Sequence, residues 1–189
     1  MNKKGEMKDM IRSNEKVIEL ITEGKELEYL FFWGHTGNTP QGVFSQWYPS
    51  EFTVDDKTYI TAEHWMMAEK ARLFNDESSV IKILKTNHPL EAKKKGRAVK
   101  NFDIKTWTEN CFEIVVQGNC HKFIQNPEML EYLLSTGDKV LVEASPYDKI
   151  WGIGMKVPHK DINNPRKWQG ENLLGYALME VRERLKKEK

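Results

Sequence analysis

The chain has little that would staple it or anchor it. Its 2 cysteines, Cys111 and Cys120, stand nine positions apart with no CxxC spacing. On a helix that separation is two and a half turns, so the thiols face opposite sides. The pattern argues against a disulfide framework and against a zinc site, and a reduced, cytoplasmic setting is the expectation. No stretch approaches the ~18 apolar residues of a membrane span. The segment 1–28 is charged throughout and has no apolar core of a secretory signal. Charge of one sign is also lacking. Lys and Arg total 29, Asp and Glu total 28, and the net charge is +1, which disfavours stable gripping of duplex nucleic acid. The five histidines, His35, His64, His88, His121 and His159, show no pairing at metal-ligand spacing. GxGxxG, P-loop and GxSxG patterns are missing too. Neither a metal nor a redox cofactor is expected.

What remains is a chain of 189 residues with a mean hydropathy of -0.65. A chain of this length folded as one domain buries roughly 70% of its unfolded surface, so it needs no covalent staple. Aromatic residues make up 11% and include six tryptophans, a large share for so polar a chain.

The pattern of elements is mainly helical. Met7, Met10, Ile11, Val17, Ile18 and Ile21 predict an amphipathic helix over 6–23, ending at Gly24. It reads as an N-terminal helical extension, 1–28, on a main domain, 29–189. Tyr29 to Trp33 predicts a buried strand, and 34–42 a polar loop containing Thr36, Asn38 and Thr39. Glu51–Val54 and Lys57–Ile60 flank Asp55-Asp56 and predict a hairpin. Thr61 caps a helix from Ala62 to about Phe74, and Asn75 or Asp76 caps the next, Ser78 to Lys85. Pro89 opens a lysine-rich helix, Asp103 caps a longer one, and Asn126-Pro127 starts another that closes at Gly137. Val140–Ala144 and Ile150–Ile153 predict strands, and a helix follows from about Glu171 to Lys186. The expectation is an α+β fold, a predominantly helical single domain with a few short strands.

Three segments can carry chemistry. In Glu63-His64-Trp65-Met66-Met67-Ala68-Glu69-Lys70, Glu63 and Lys70 are seven apart and share a helix face. Glu63 can serve as a functional carboxylate or simply complement the helix dipole. A zinc-protease motif fails here because Ala68 stands where a second histidine is needed. In the second segment a strand ends at Glu143, a turn holds Asp148, and Trp151 stands beside Gly152, where one indole face can stay open for stacking. In the third, Trp168-Gln-Gly-Glu-Asn172-Leu-Leu-Gly175, Asn172 either caps a helix or reads a ligand. The run Lys93-Lys94-Lys95 with Arg97 is most simply a solvated helix face, with phosphate binding as the alternative.

Together these segments resemble the NADAR, or YbiA-like, family. The resemblance rests on Phe44-Ser-Gln-Trp47, Glu63-His-Trp-Met-Met-Ala-Glu-Lys70-Ala, Phe102-Asp-Ile-Lys-Thr-Trp107, Lys122-Phe-Ile-Gln-Asn126 and Leu134-Ser-Thr-Gly137. Glu143-Ala-Ser-Pro-Tyr-Asp148-Lys-Ile-Trp-Gly-Ile-Gly154 and Trp168-Gln-Gly-Glu-Asn-Leu-Leu-Gly175 complete it. It covers about 29–185, and Gln46 departs from the asparagine that many members carry there.

The resemblance implies an N-glycosidase that hydrolyses the ribosyl C–N bond of a ribosylated base. The first substrate class is the riboflavin-biosynthesis intermediates, ribosylamino-pyrimidine phosphates. The alternatives are an ADP-ribosylated guanine in nucleic acid, or binding of NAD or ADP-ribose without cleavage. It singles out Glu63, Trp107, Asp148 and Trp151 first, with Glu63 and Asp148 as catalytic acids; Lys70 joins them as a catalytic candidate because it shares the Glu63 helix face. Trp107, Trp151, Glu143, Ser45, Gln46, Gly152 and Asn172 are the implied substrate contacts. A carboxylate can stabilise the oxocarbenium-like state or activate water, and a second acid can protonate the leaving base. The roles of Glu63 and Asp148 stay interchangeable at this point. Lys70 opens a different route, through a Schiff base at C1. Trp107 and Trp151 are expected to stack on the base, at about 1–3 kcal/mol per base. Trp33, Trp47 and Trp168 are expected to wall or support a pocket, and Trp65 to be core.

Overall fold

A computed structural model of the chain describes residues 10–36 and 39–187. Among these, seven α-helices and four short strands follow in order. They are α1 (Asn14–Thr22), β1 (Tyr29–Phe32), β2 (Phe52–Val54), β3 (Lys57–Tyr59), α2 (Ala62–Leu73) and α3 (Glu77–Leu84). α4 (Pro89–Arg97), α5 (Ile104–Gln125), α6 (Pro127–Ser135), β4 (Val140–Glu143) and α7 (Leu173–Lys187) complete the order. The α+β expectation holds. No helix among the described residues is long and apolar enough to cross a membrane. The described residues gather into two compact units. One holds the chain up to Trp33 and from Leu134 onward, and the other is Gly34–Leu133.

In the first unit β1 and β4 pair in parallel, with Tyr29 opposite Val140 and Phe32 opposite Glu143. α7 packs on β4. Val140, Leu141 and Val142 are all fully buried, so the strand reads as an apolar run rather than an alternation. The approach of α7 is close enough to demand glycine: a Cβ on Gly175 would lie 2.1 Å from the Leu141 carbonyl oxygen. α1 begins at the cap Ser13, whose hydroxyl accepts from the Lys16 N–H, and Gly24 at φ +85° follows its end. Residues 6–9 of the expected first helix, Met7 among them, lie outside the described residues, as does Asn38 of the expected polar loop.

Two expectations for this unit need correction. Ile150–Ile153 is not a strand. Its carbonyls serve other segments: Ile150 and Trp151 accept from the N–H groups of Leu173 and Leu174 at 3.2 and 3.1 Å, and Ile153 accepts from Gln169 at 2.9 Å. These bonds take up N–H groups of α7's first turn that no helix carbonyl can reach. α7 also starts later than expected, because Asn172 sits at φ +56° and turns away from the helix.

In the second unit β2 and β3 form the expected hairpin, with Asp55 and Asp56 at φ 48° and 60°. Two successive positive φ values are what a tight two-residue hairpin turn requires. α2 packs against α3, α4 and α5. Every residue from Ala62 to Ala68 is buried, which is why its sequence lacks one apolar stripe. Thr61 caps it as expected, accepting from the His64 N–H at 3.4 Å. Asp76, not Asn75, caps α3. It accepts from the Lys100 and Ser79 N–H groups and from the hydroxyls of Ser78 and Ser79, and these bonds hold its carboxyl far below the usual range.

Candidate active site

The second unit places Glu63 in the first turn of α2, 5% exposed. The Glu63 N–H donates to the Gln46 carbonyl at 2.9 Å, which ties the start of the helix to the segment Phe44-Ser45-Gln46. That segment is held in turn by α5. The side-chain amide of Gln46 pairs with that of Asn119: Gln46 Nε2 donates to Asn119 Oδ1 at 3.2 Å, and Asn119 Nδ2 donates to Gln46 Oε1 at 3.4 Å. One turn further along α5, Lys122 Nζ donates to the carbonyls of Val43 at 2.6 Å and Ser45 at 3.1 Å. Ser45 Oγ accepts from the Trp47 N–H at 3.1 Å. Both expected contacts, Ser45 and Gln46, therefore sit beside Glu63, and the amide of Gln46 is engaged inside the protein.

The sequence pattern singles out neither Lys122 nor Asn119 as a site residue. Lys122 is fully buried, and burial pushes its ammonium down to about 7. The signal was in the spacing. The buried positions Cys111, Val115 and Gly118 of α5 continue, at a helical period, to 122. A lysine on an apolar stripe marks a side chain with partners inside the core.

His64 is a core histidine. Its Nδ1 lies 2.7 Å from Thr61 Oγ1 and its Nε2 lies 3.0 Å from Thr86 Oγ1. The Thr86 hydroxyl donates to the Ile83 carbonyl, so His64 Nε2 must be the donor to Thr86 and Nδ1 the acceptor from Thr61. Burial lowers the His64 pKa, with a smaller push in the same direction from His88, in keeping with the neutral ring.

Lys70 lies two turns beyond Glu63 on the same face of α2, about 10 Å along the axis. No ion pair joins the two. Lys70 Nζ sits 4.1 Å from the ring centroid of Phe102 and 5.4 Å from that of Trp107. Lys70 and Trp107, both expected from the sequence, are thus brought together, and Phe102 is added to them. Among the described residues no carboxylate lies within ion-pair distance of this ammonium. Burial, and secondarily the charge of Arg97, lower its pKa. Trp65 is core as expected, its Nε1 donating to the Ile114 carbonyl at 2.9 Å.

The first unit gathers the other five expected residues. Glu143 closes β4, and its N–H donates to Asn172 Oδ1 at 2.9 Å. Asn172 Nδ2 donates to the Leu141 carbonyl at 3.0 Å. The fully buried Asn172 is therefore neither a helix cap nor open to solvent; it is a clip on the end of β4. Asp148 Oδ1 accepts from the N–H groups of Ile150 at 2.9 Å and Trp151 at 2.8 Å, which fixes the loop that carries the half-buried Trp151. Gly152 is required by close approach: a Cβ there would lie 2.9 Å from the Glu143 carbonyl and 3.1 Å from that of Asp148. Trp168 is buried, with Nε1 donating to the Ile162 carbonyl at 2.8 Å, whereas Trp33 is 52% exposed beside Tyr147.

A model of the NADAR domain matches residues 31–186. A curated relative, an N-glycosidase of Acanthamoeba polyphaga mimivirus, is 44% identical over 163 residues, covering 82% of this chain and 95% of that protein. N-glycosidase YbiA of Escherichia coli strain K12 is 33% identical over 148 residues, covering 78% and 84%. The NMR structure of the E. coli protein YbiA aligns with a TM-score of 0.68 at 29% identity, over 86% of this chain and 89% of that one.

Proposed function

Because this chain belongs to the NADAR domain family, and relatives that match most of its length are N-glycosidases, we propose that it hydrolyses the N-glycosidic bond of a phosphorylated ribosylamino-pyrimidine through an imine on Lys70. The observation that carries this reading is the surroundings of Lys70. An ammonium set against two aromatic rings, with burial and a neighbouring cation lowering its pKa, exists as free amine more often than a solvated lysine does. Free amine is the form that attacks carbon.

In this reading the neutral Lys70 amine adds at C1 of the ribosyl group as the bond from C1 to the base nitrogen breaks. The base leaves with that electron pair and takes a proton. Loss of a proton from the new C–N link and opening of the sugar ring give the imine. Water then adds at C1, releases the sugar, and returns the amine. Glu63, in the first turn of the same helix, is the carboxyl group assigned to proton transfer. Trp107 and Phe102 supply flat surface for the base.

The test is borohydride reduction during turnover, with a panel that includes ribosylamino-pyrimidine phosphates and ADP-ribosylated guanine. The expected result is release of free base, with a reduced adduct on wild type that is missing in Lys70→Ala. The Glu63→Gln variant is expected to fall by about 10²–10⁴-fold in kcat. Full activity of Lys70→Ala with no adduct on wild type would remove the imine route. Turnover of ADP-ribosylated guanine alone would remove the pyrimidine assignment.

A further inference from the structure

One cluster of the second unit takes no part in the chemistry above. Trp47 follows Gln46, and its indole is half-buried. The His35 ring lies 5.5 Å from it, the His88 ring lies 6.3 Å away and edge-on, and Lys93 Nζ stands 5.8 Å from its centroid. Three cationic or protonatable groups thus surround one aromatic surface.

Their placement relative to α2 follows from α4. His88 is near enough to His64 to influence it, Gly96 abuts Met67, and the charge of Arg97 reaches Lys70. α4 therefore runs alongside α2 in the same direction. Lys93 lies toward the Glu63 end and Arg97, one turn on and on the same face, toward the Lys70 end. The only acid of α4 is Glu91. Two residues from Lys93, it projects from the far side of the helix. Among the described residues neither Lys93 nor Arg97 has an ion pair or a side-chain hydrogen bond. In a chain with 29 basic and 28 acidic residues, these cations line one path without counter-ions.

We propose that Trp47, His35, His88 and Lys93 form a subsite for the phosphate ester of the substrate. The indole packs on the sugar side, and the Lys93 ammonium and the imidazole N–H groups hold the phosphate oxygens. Imidazole and ammonium donors to a phosphate make short, charge-assisted hydrogen bonds. The proposal rests on the N-glycosidase reading, because it places the ester at the Glu63 end of α2 and leaves the Phe102 and Trp107 surfaces for the base. The anion is a phosphate monoester or a diphosphate, and both present the same oxygens to this cluster.

Binding can be read without turnover, from the indole N–H resonances titrated with ribose, ribose 5-phosphate and ADP-ribose. Wild type is expected to bind ribose 5-phosphate at least about tenfold more tightly than ribose. Lys93→Gln is expected to lose most of that preference, and Lys94→Gln, which removes a solvated charge from the same helix, to keep it. Tighter binding of ADP-ribose than of ribose 5-phosphate identifies a diphosphate, and the reverse a monoester; either supports the subsite. Equal affinity of wild type for ribose and ribose 5-phosphate, or an undiminished preference in Lys93→Gln, would overturn it. Base release is measured on the same proteins. Phosphate preference without base release would remove the N-glycosidase reading and leave the subsite standing.

Discussion

Replacing Lys122 with methionine changes how stability depends on pH by an amount that the structure predicts. Burial holds the Lys122 ammonium at about 7, against 10.5 in the unfolded chain. Between those values the unfolded chain binds a proton that the folded chain has lost, so stability rises with pH across the window. The slope cannot exceed about 1.4 kcal/mol per pH unit for one group. Half of the folded molecules are already neutral at pH 7, and integrating the proton difference from there to pH 9 gives about 2 kcal/mol. Lys122→Met removes this contribution. It also removes the donor to the Val43 and Ser45 carbonyls, at about 1–3 kcal/mol for each acceptor left without a partner. Relief of ammonium burial and loss of these bonds oppose each other at any single pH, so the informative quantity is the change with pH. Urea unfolding of both proteins at pH 7, 8 and 9, followed by tryptophan fluorescence, gives the difference directly, because all other titrating groups cancel. The stability of wild type relative to Lys122→Met is expected to increase by about 2 kcal/mol from pH 7 to 9. Parallel profiles would show that the ammonium keeps its charge inside the fold, and would refute the argument.

Asn172→Ala removes the acceptor of the Glu143 N–H and the donor to the Leu141 carbonyl, and is expected to cost about 2–4 kcal/mol in urea unfolding. Gly175→Ala is expected to cost at least about 1–3 kcal/mol, because the added carbon meets the Leu141 carbonyl at 2.1 Å, and backbone cannot step aside. Gly96→Ala meets the Met67 sulfur at the same distance. A flexible thioether can move, and alanine is worth about 1 kcal/mol more than glycine inside a helix, so this change is expected to cost far less than Gly175→Ala. Arg97→Gln removes the like charge that adds to burial in lowering the Lys70 pKa. The pKa then rises and the free-amine fraction at a given pH falls. The ascending limb of the kcat profile is therefore expected to move to higher pH, and an unmoved limb would argue against Lys70 as the attacking group.

Local signals carried much of the fold. Thr61, Pro89 and Asp103 mark helix starts because a cap or a fixed φ acts within one turn, whatever the rest of the chain does. The elements misread were those decided by partners distant in sequence. Ile150–Ile153 has the composition of a strand, but its carbonyls are drawn to α7 and the segment before it, some twenty residues later. Asn172 has the composition of a cap, but β4 offers a free N–H and C=O that a side-chain amide satisfies together. The candidate site divides in the same way. Glu63 and Lys70 are legible because helix spacing alone puts them on one face. Helix period puts Asn119 and Lys122 on a buried stripe without marking them as site residues. Their bonds run to a segment more than seventy residues earlier, and no local pattern encodes that.

Net charge shows most plainly what composition cannot carry. A total of +1 lacks the basic excess usual for a surface built to grip a duplex. A sum over the chain, however, says nothing about which charges have neighbours. Arg12 and Arg184 meet Glu180, and Lys186 meets Glu183, so part of the basic complement is neutralised on the first unit's helices. Lys70, Lys93 and Arg97 have no such partners among the described residues, and two of the three stand over aromatic rings. A cation left unpaired on an aromatic surface loses water on one side and gains no counter-ion in return, so the pairing is available to an anionic or flat ligand. Lys93→Gln and Lys70→Ala would alter the net charge equally. The two proposals give them different expected consequences, a loss of phosphate preference for the first and of the covalent adduct for the second.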